Sequence, residues 1–324
     1  MDHLSEVYRL IQPGRQIKGI AAALFVFDSQ GHFAEDAFCS HIQSTSLTGL
    51  SSAVNMDTGY VNLISDEAKR NVLHCTRAAL GPGVPFYAGI YVEHNTGDLA
   101  GLYRREIEQI LTVDAVPVIF QSIRMHGLSS TDKIKLYQEI CRDIPEAIAF
   151  ELGAMFATNG EIWDDVTAQG IMEIPNISGM KHSSLSRSLE MQRLHMRDKI
   201  RPDFRIYTGN DLGISMVEYG SDYLLGLATF FPEAFSARDR AWQNGSLSYF
   251  ALSDALQHLG NVAFRAPVPA YKHSAAVFLH LRHRIPSALT HPNSPSRPLW
   301  ENEMMSECLD RILSAMPSEE SKEK

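Results

Sequence analysis

One lysine stands out by its setting. The segment Ile174-Pro-Asn-Ile-Ser-Gly-Met-Lys-His-Ser-Ser ends an apolar run at Lys181 and continues into small polar residues. Ile177–Met180 reads as a buried strand, and Ser183-Ser184 behind it as a helix cap. An ammonium at the end of a buried strand is costly to keep charged. Desolvation lowers its pKa and exposes a neutral amine, which attacks carbonyl carbon and forms a Schiff base. The unreactive alternative is a lysine whose stem lies on apolar surface while its ammonium reaches water or a carboxylate.

Such a residue needs a rigid frame. Strand candidates recur at Ile20–Phe27, Leu50–Asn55, Pro85–Val92, Ala115–Phe120, Ala147–Leu152, Ile177–Lys181, Arg205–Thr208 and Asp222–Leu227. Helical patterns follow them at Glu35–Thr45, Ser65–Ala79, Leu99–Leu111, Thr131–Cys141, Asn159–Gln169, Leu185–His195, Leu212–Tyr219 and Glu233–Gln243. Near-continuous apolar strands imply a parallel sheet buried on both faces. Eight strand–helix units predict an α/β fold, a closed (β/α)8 TIM barrel rather than an open sheet. After Gln243 the alternation stops, and Leu247–Phe264, Ala275–Arg284 and Met304–Ala315 read as helices. The expected organisation is an N-terminal extension over 1–16, a barrel over 17–243, a C-terminal helical region over 244–317 and a disordered charged tail over 318–324.

Bulk properties narrow the function. The chain has 324 residues, 44% hydrophobic and 21% charged, as expected of a soluble globular protein. A net charge of -9 leaves no basic footprint for nucleic acid. No apolar run approaches the roughly 20 residues that span a membrane. Arg15–Lys18 before the apolar Gly19–Phe27 mimics a leader, but the turn Asp28-Ser-Gln-Gly marks a strand end instead. Cys39, Cys75, Cys141 and Cys308 are far apart without a CxxC, which suggests neither zinc nor a disulfide framework and fits a reducing cytoplasm. No GxGxxG or GKS/T follows a strand, so no nucleotide cofactor is expected.

The run ending at Lys181 resembles the glycine-x-lysine-aspartate-serine-serine strand of the dihydrodipicolinate synthase and N-acetylneuraminate lyase superfamily. Those proteins are class I Schiff-base lyases and aldolases on a (β/α)8 barrel. Other stretches match in the same order. Gly19-Ile-Ala-Ala-Ala-Leu-Phe-Val-Phe-Asp with Gly31 is similar to the first strand and its turn. Asp57-Thr58-Gly59 is similar to the threonine-threonine-glycine loop, Tyr87-Ala88-Gly89 to the third strand, and Gly209-Asn210-Asp211 to a glycine-aspartate pair after the seventh. Gly220–Gly226 with Pro232 resembles the eighth unit, and Pro267-Val-Pro-Ala-Tyr-Lys272 with Arg297-Pro298-Leu299 the C-terminal signature.

The resemblance implies that Lys181 is the nucleophile and that Thr58 and Gly59 bind the substrate's carboxylate. Asp57 departs from the pattern, since an acid repels a carboxylate. It reads as a partner for hydroxyls, a base, or a turn residue. Asn210 would bond a substrate hydroxyl, Leu224 would form an apolar wall, and Asp211 reads equally as a helix N-cap. Lys272 matches a position linked to packing. The largest departure is on strand five, where Phe150 replaces the family's proton-shuttling tyrosine and the arginine that grips a second substrate falls near Met155. Dihydrodipicolinate synthesis is therefore not expected. Tyr91 and Glu151 are the other candidates for the missing proton relay, although strand alternation turns Glu151 toward the helices.

The leading expectation is a Schiff-base lyase, aldolase or dehydratase acting on a 2-oxo acid or sugar-derived carbonyl, with no cofactor and, by resemblance, a homotetrameric assembly. The alternative is a binding or regulatory barrel that kept the lysine and lost the relay. A metal-dependent isomerase would need Glu93, His94 and His126 to converge.

Overall fold

The computed structural model describes residues 4–317. Eight parallel strands close into a barrel in chain order: β1 (Gly19–Ala22), β2 (Ser51–Val54), β3 (Tyr87–Ile90), β4 (Val116–Ile119), β5 (Ala147–Leu152), β6 (Ile177–Ser183), β7 (Arg205–Thr208) and β8 (Asp222–Leu225). A short helix, α1 (Leu4–Tyr8), precedes them. The outer layer holds α2 (Glu35–Leu47), α3 (Asp66–Leu80), α4 (Leu99–Thr112), α5 (Ser130–Ile140), α6 (Asp165–Met172), α7 (Arg187–Ile200) and α8 (Pro232–Gln243). Three further helices, α9 (Ser248–Ala263), α10 (Tyr271–Leu281) and α11 (Glu301–Ala315), pack on one another beside the barrel. The expected (β/α)8 barrel with a C-terminal helical region is what the chain forms. The proposed tail, 318–324, lies outside the described residues.

Local chemistry explains the element ends. Ser65, Asp98, Ser129 and Asp164 each accept a backbone N–H from the first turn of α3, α4, α5 and α6. The helix expected from Asn159 therefore begins only at Asp165. The first strand is shorter than its apolar run, because Phe27 turns back to bridge Phe33 antiparallel. Between β7 and β8 a 3-10 segment, Ile214–Tyr219, stands where an α-helix was expected. Gly213 precedes it and Gly220, at a φ of 102°, ends it. Ser183 and Ser184 do not cap a helix. The strand runs through Ser183, and Ser186 caps α7 by accepting the Leu189 N–H at 3.3 Å.

Two apolar layers hold the barrel. One fills its interior with Ile20, Ala53, Tyr87, Val118, Ile148, Phe150, Tyr207 and Leu224. The other lies between sheet and helices. Each strand supplies both by alternation, so the parity of a residue decides whether it meets the interior or the helices. Among the described residues no helix is long and apolar enough to cross a membrane.

Candidate active site

Parity on β5 and β6 builds the centre of the site. Phe150 pairs in register with Lys181, Glu151 with His182, and Leu152 with Ser183. Phe150, Leu152, Lys181 and Ser183 line one cavity of about 30 Å³ at the C-terminal end of the strands, the face where barrels of this kind carry their chemistry. The Lys181 Nζ lies 4.3 Å from the centre of the Phe150 ring. Burial pushes the Lys181 amine down to about 8, against the opposing pull of Asp211 and Asp57. Gly209, on the loop after β7, makes room for this side chain. A Cβ at that position would sit 2.7 Å from the Lys181 Cε and closer still to the Ser183 Oγ.

Phe150 is 1% exposed and meets the Phe120 ring edge-on, with centroids 4.8 Å apart. Phe150→Tyr adds a hydroxyl to this apolar packing. Without a partner that hydroxyl costs about 1–3 kcal/mol. A lowered melting temperature with little gained proton exchange on pyruvate is the expected result. Large gained exchange at unchanged stability would show that only the phenol is missing.

A second cluster joins the cavity from far along the chain. Asp57 opens a 3-10 turn, Asp57–Gly59, after β2. Its carboxylate accepts from Lys272 Nζ at 2.9 and 3.0 Å and from the Tyr271 hydroxyl at 2.9 Å. Burial alone would raise the Asp57 pKa, but the Lys272 charge and these bonds outweigh it and hold the carboxyl below its usual range. The Thr58 hydroxyl bonds the same Tyr271 hydroxyl at 2.9 Å. Lys272, read from the sequence as a packing residue, thus anchors an acid at the cavity.

Asp211 lines the same cavity. Its Oδ1 accepts the Leu227 N–H at 2.7 Å. Burial raises its carboxyl to about 7, with that hydrogen bond and Lys181 opposing. It is not the N-cap of a following helix, because the next segment starts after Gly213.

The other candidates divide. Asp57, Thr58, Phe150 and Lys181 meet in one cavity. Tyr91 lines an adjoining cavity of about 260 Å³, which shares Asp57, Leu152 and Phe156 with the first. Glu151 does not face either. It turns outward with His182, accepts that ring's Nδ1 at 2.5 Å, and takes Arg193 Nη2 at 2.8 Å. Its place behind the barrel wall removes it as a proton relay. Gly59 spends its N–H on the Met56 carbonyl at 2.9 Å. Asn210 folds its Oδ1 onto the Leu212 N–H at 3.1 Å. Leu224 is packed in the barrel interior. None of these three lines the cavities as a substrate contact. Glu93, His94 and His126 bond separate backbone groups, at Ile123, Asn62 and Asn159. Among the described residues no group of three or more such side chains is placed to hold a metal ion.

Tyr271, Ser183, Phe156 and Phe264 also line the cavity over Lys181 and were not read from the sequence. Strand parity marks Ser183, two residues after Lys181. Nothing local marks Tyr271 or Phe264.

No family model matches the sequence, and no curated protein sequence matches it. Solved structures do. A prophage protein of the dihydrodipicolinic acid synthase family from E. coli K12, in complex with pyruvate, superposes with a TM-score of 0.80 at 14% identity, over 92% of this chain and 98% of that one. Dihydrodipicolinate synthase from Thermotoga maritima gives 0.77 at 13% identity, over 92% and 99%. Sialic acid aldolase from Ruminococcus gnavus gives 0.78 at 14%, over 93% and 98%. At these identities the likeness is one of fold.

Proposed function

We propose that this chain, which has the barrel fold of the dihydrodipicolinate synthase and N-acetylneuraminate lyase superfamily, is a Schiff-base-forming lyase or aldolase that acts through Lys181. One observation carries the reading. A lysine with a depressed pKa stands at the C-terminal end of β6, inside a cavity that also holds two carboxylates. The E. coli structure's pyruvate, in a protein of the same fold, supports a small carbonyl substrate.

The Lys181 amine adds to a carbonyl carbon, and the carbonyl oxygen leaves as water, so that a C=N bond remains. Protonated, that imine withdraws electrons from the neighbouring C–C bond. In cleavage, a base takes the proton of a hydroxyl one carbon further, the C–C bond breaks, an aldehyde leaves and an enamine is left on Lys181. Asp211, near 7, is suited to take that proton and return it to the enamine. Phe150 has no acid–base group, and by resemblance the arginine that grips a second carboxylate would fall near Met155, where this chain has none. Both argue against dihydrodipicolinate synthesis.

The depressed pKa sets a pH profile. A base with its pKa lowered is deprotonated at lower pH than usual. At pH 7 roughly a tenth of an amine with pKa 8 is neutral, against roughly one in 3000 at the ordinary value of 10.5. Imine capture by borohydride is expected to rise about tenfold per pH unit below pH 7, to bend over near pH 8 and then to level off. A rate still climbing steeply above pH 9.5 contradicts a depressed lysine.

The missing phenol at Phe150 favours a second reading, a barrel that binds carbonyl compounds without turning them over. Imine formation without product release would mark that case.

A further inference from the structure

Phe150 leaves the strand-five wall beside Lys181 without a phenol, but a phenol reaches the same cavity from α10. Tyr271 lines it together with Lys181, Thr58 and Asp57. The Tyr271 ring stacks on Phe264, with centroids 4.3 Å apart and an angle of 14° between the planes, which fixes where its hydroxyl points. Tyr271 and Thr58 are 4% and 2% exposed.

The hydrogen bonds around that hydroxyl have a determined sense. Asp57, paired with Lys272 and held below its usual pKa range, is a carboxylate and only accepts. Tyr271 has a single hydroxyl proton and gives it to Asp57 Oδ2 at 2.9 Å. In the 2.9 Å bond between Thr58 and Tyr271, Thr58 is therefore the donor. The Thr58 Oγ is left with lone pairs that a group on Lys181 can donate to. Gly226 keeps this wall open, since a Cβ there would stand 3.0 Å from the Thr58 Oγ. The cavity of about 30 Å³ has room for about two waters, so whatever is bonded to the Lys181 nitrogen lies next to its walls. At the far end, Asp57 also lines the adjoining cavity and its side chain is 37% exposed, so it exchanges protons with water.

We propose that Thr58, Tyr271 and Asp57 form a proton chain that serves imine formation at Lys181, with the Tyr271 phenol in place of the one missing at Phe150. This rests on the reading of Lys181 as an imine-forming residue. When the neutral amine adds to a carbonyl carbon, the N–C bond forms, the C=O π pair moves to oxygen and the nitrogen holds one proton too many. That proton passes to the Thr58 Oγ, the proton of Thr58 to Tyr271, and that of Tyr271 to Asp57. The chain then returns it to the oxygen, which gives a neutral carbinolamine. A second proton, taken up from water at Asp57 and sent along the same chain, converts the hydroxyl to water. The C–O bond breaks, the nitrogen lone pair closes the C=N bond, and a protonated imine remains. Burial and the Asp57 charge push the phenol's pKa up, but the transfer needs no phenolate, because Tyr271 gives one proton as it takes another. Asp211 stays available for the proton of the cleavage step.

The test follows imine formation on the intact protein with pyruvate, quenched with borohydride at set times and read as adduct mass at Lys181. Tyr271→Phe removes one oxygen and keeps the ring on Phe264. Its maximal rate of imine formation is expected to fall about 100-fold, the lower end of what a placed proton-transfer group supplies. The pyruvate concentration that gives half the maximal rate should change little. Thr58→Val is expected to lose as much, and the double variant no more than either alone, because the two hydroxyls act in series. Thr58→Ser, which restores a hydroxyl, is expected to recover most of the Thr58→Val loss. A Tyr271→Phe protein that forms the imine at the wild-type rate overturns the inference and leaves the lyase reading standing. So do losses that multiply in the double variant, or an effect confined to the half-maximal concentration, either of which marks a structural contact. If circular dichroism shows Tyr271→Phe unfolded, the Thr58 variants decide, and equal rates for Thr58→Val and Thr58→Ser overturn the chain. Wild type that forms no adduct at Lys181 with pyruvate or dihydroxyacetone overturns the lyase reading and the chain with it.

Discussion

Incubation with a small carbonyl substrate and borohydride is expected to leave a single stable adduct on Lys181, and Lys181→Ala is expected to abolish it. The variant should also lose at least about 10⁴-fold in turnover of whatever substrate is found, the scale of loss when a covalent nucleophile is removed. The structure gives the reason for both results. The side chain projects into a cavity at the strand ends and its charge is disfavoured there by burial. Its nearest carboxylates are already engaged elsewhere, Asp57 by Lys272 and Tyr271, and Asp211 by the Leu227 N–H. Removal of the side chain therefore breaks no hydrogen bond that holds the barrel. Lys181→Ala should keep its circular dichroism and a cooperative melt. An unfolded Lys181→Ala protein, or wild type with no adduct, would refute the catalytic reading of this residue.

Arg193→Leu is expected to cost about 3–5 kcal/mol of stability, the penalty for breaking one side of a buried ion pair. Arg193 and Glu151 are 1% and 0% exposed at their side chains, and two guanidinium nitrogens reach the carboxylate at 2.8 and 3.2 Å. The same guanidinium donates to Asp165 and to the Trp163 carbonyl, which ties β5, α6 and α7 together behind the strand that carries Lys181. Burial would raise the Glu151 pKa, but His182 and Arg193 outweigh it and hold it below the usual range. A depressed carboxyl contributes stability above its unfolded pKa and loses it as pH falls through the folded one. Without Arg193 that loss should begin at a higher pH. Urea denaturation across pH 4 to 8 reads both effects. The double variant Glu151→Leu, Arg193→Leu should recover much of the loss, because it leaves no unpaired charge. A single variant as stable as wild type would mean that the pair does not hold the wall.

The barrel and the position of Lys181 at a strand end were legible in the sequence because the signals involved are local. Apolar strands alternating with helical periods count out eight units, and a side-chain period of two places Lys181 and Phe150 on the inner face and Glu151 on the outer. What Glu151 faces was not legible, since Arg193 lies 42 residues away on α7. The same limit hid half of the site. Asp57 is held by Tyr271 and Lys272 from a helix 214 and 215 positions further on, and neither residue lies in a pattern that marks it as part of a cavity. The charge of Asp211 was equally undetermined, because its pKa depends on how much water the folded walls exclude. Sequence periodicity decided which face each residue takes. Only the closed barrel, with the start of α10 brought to the cavity at its strand ends, decided which distant groups meet there and in which state of charge, because both follow from burial and from contacts between segments that local periodicity does not relate.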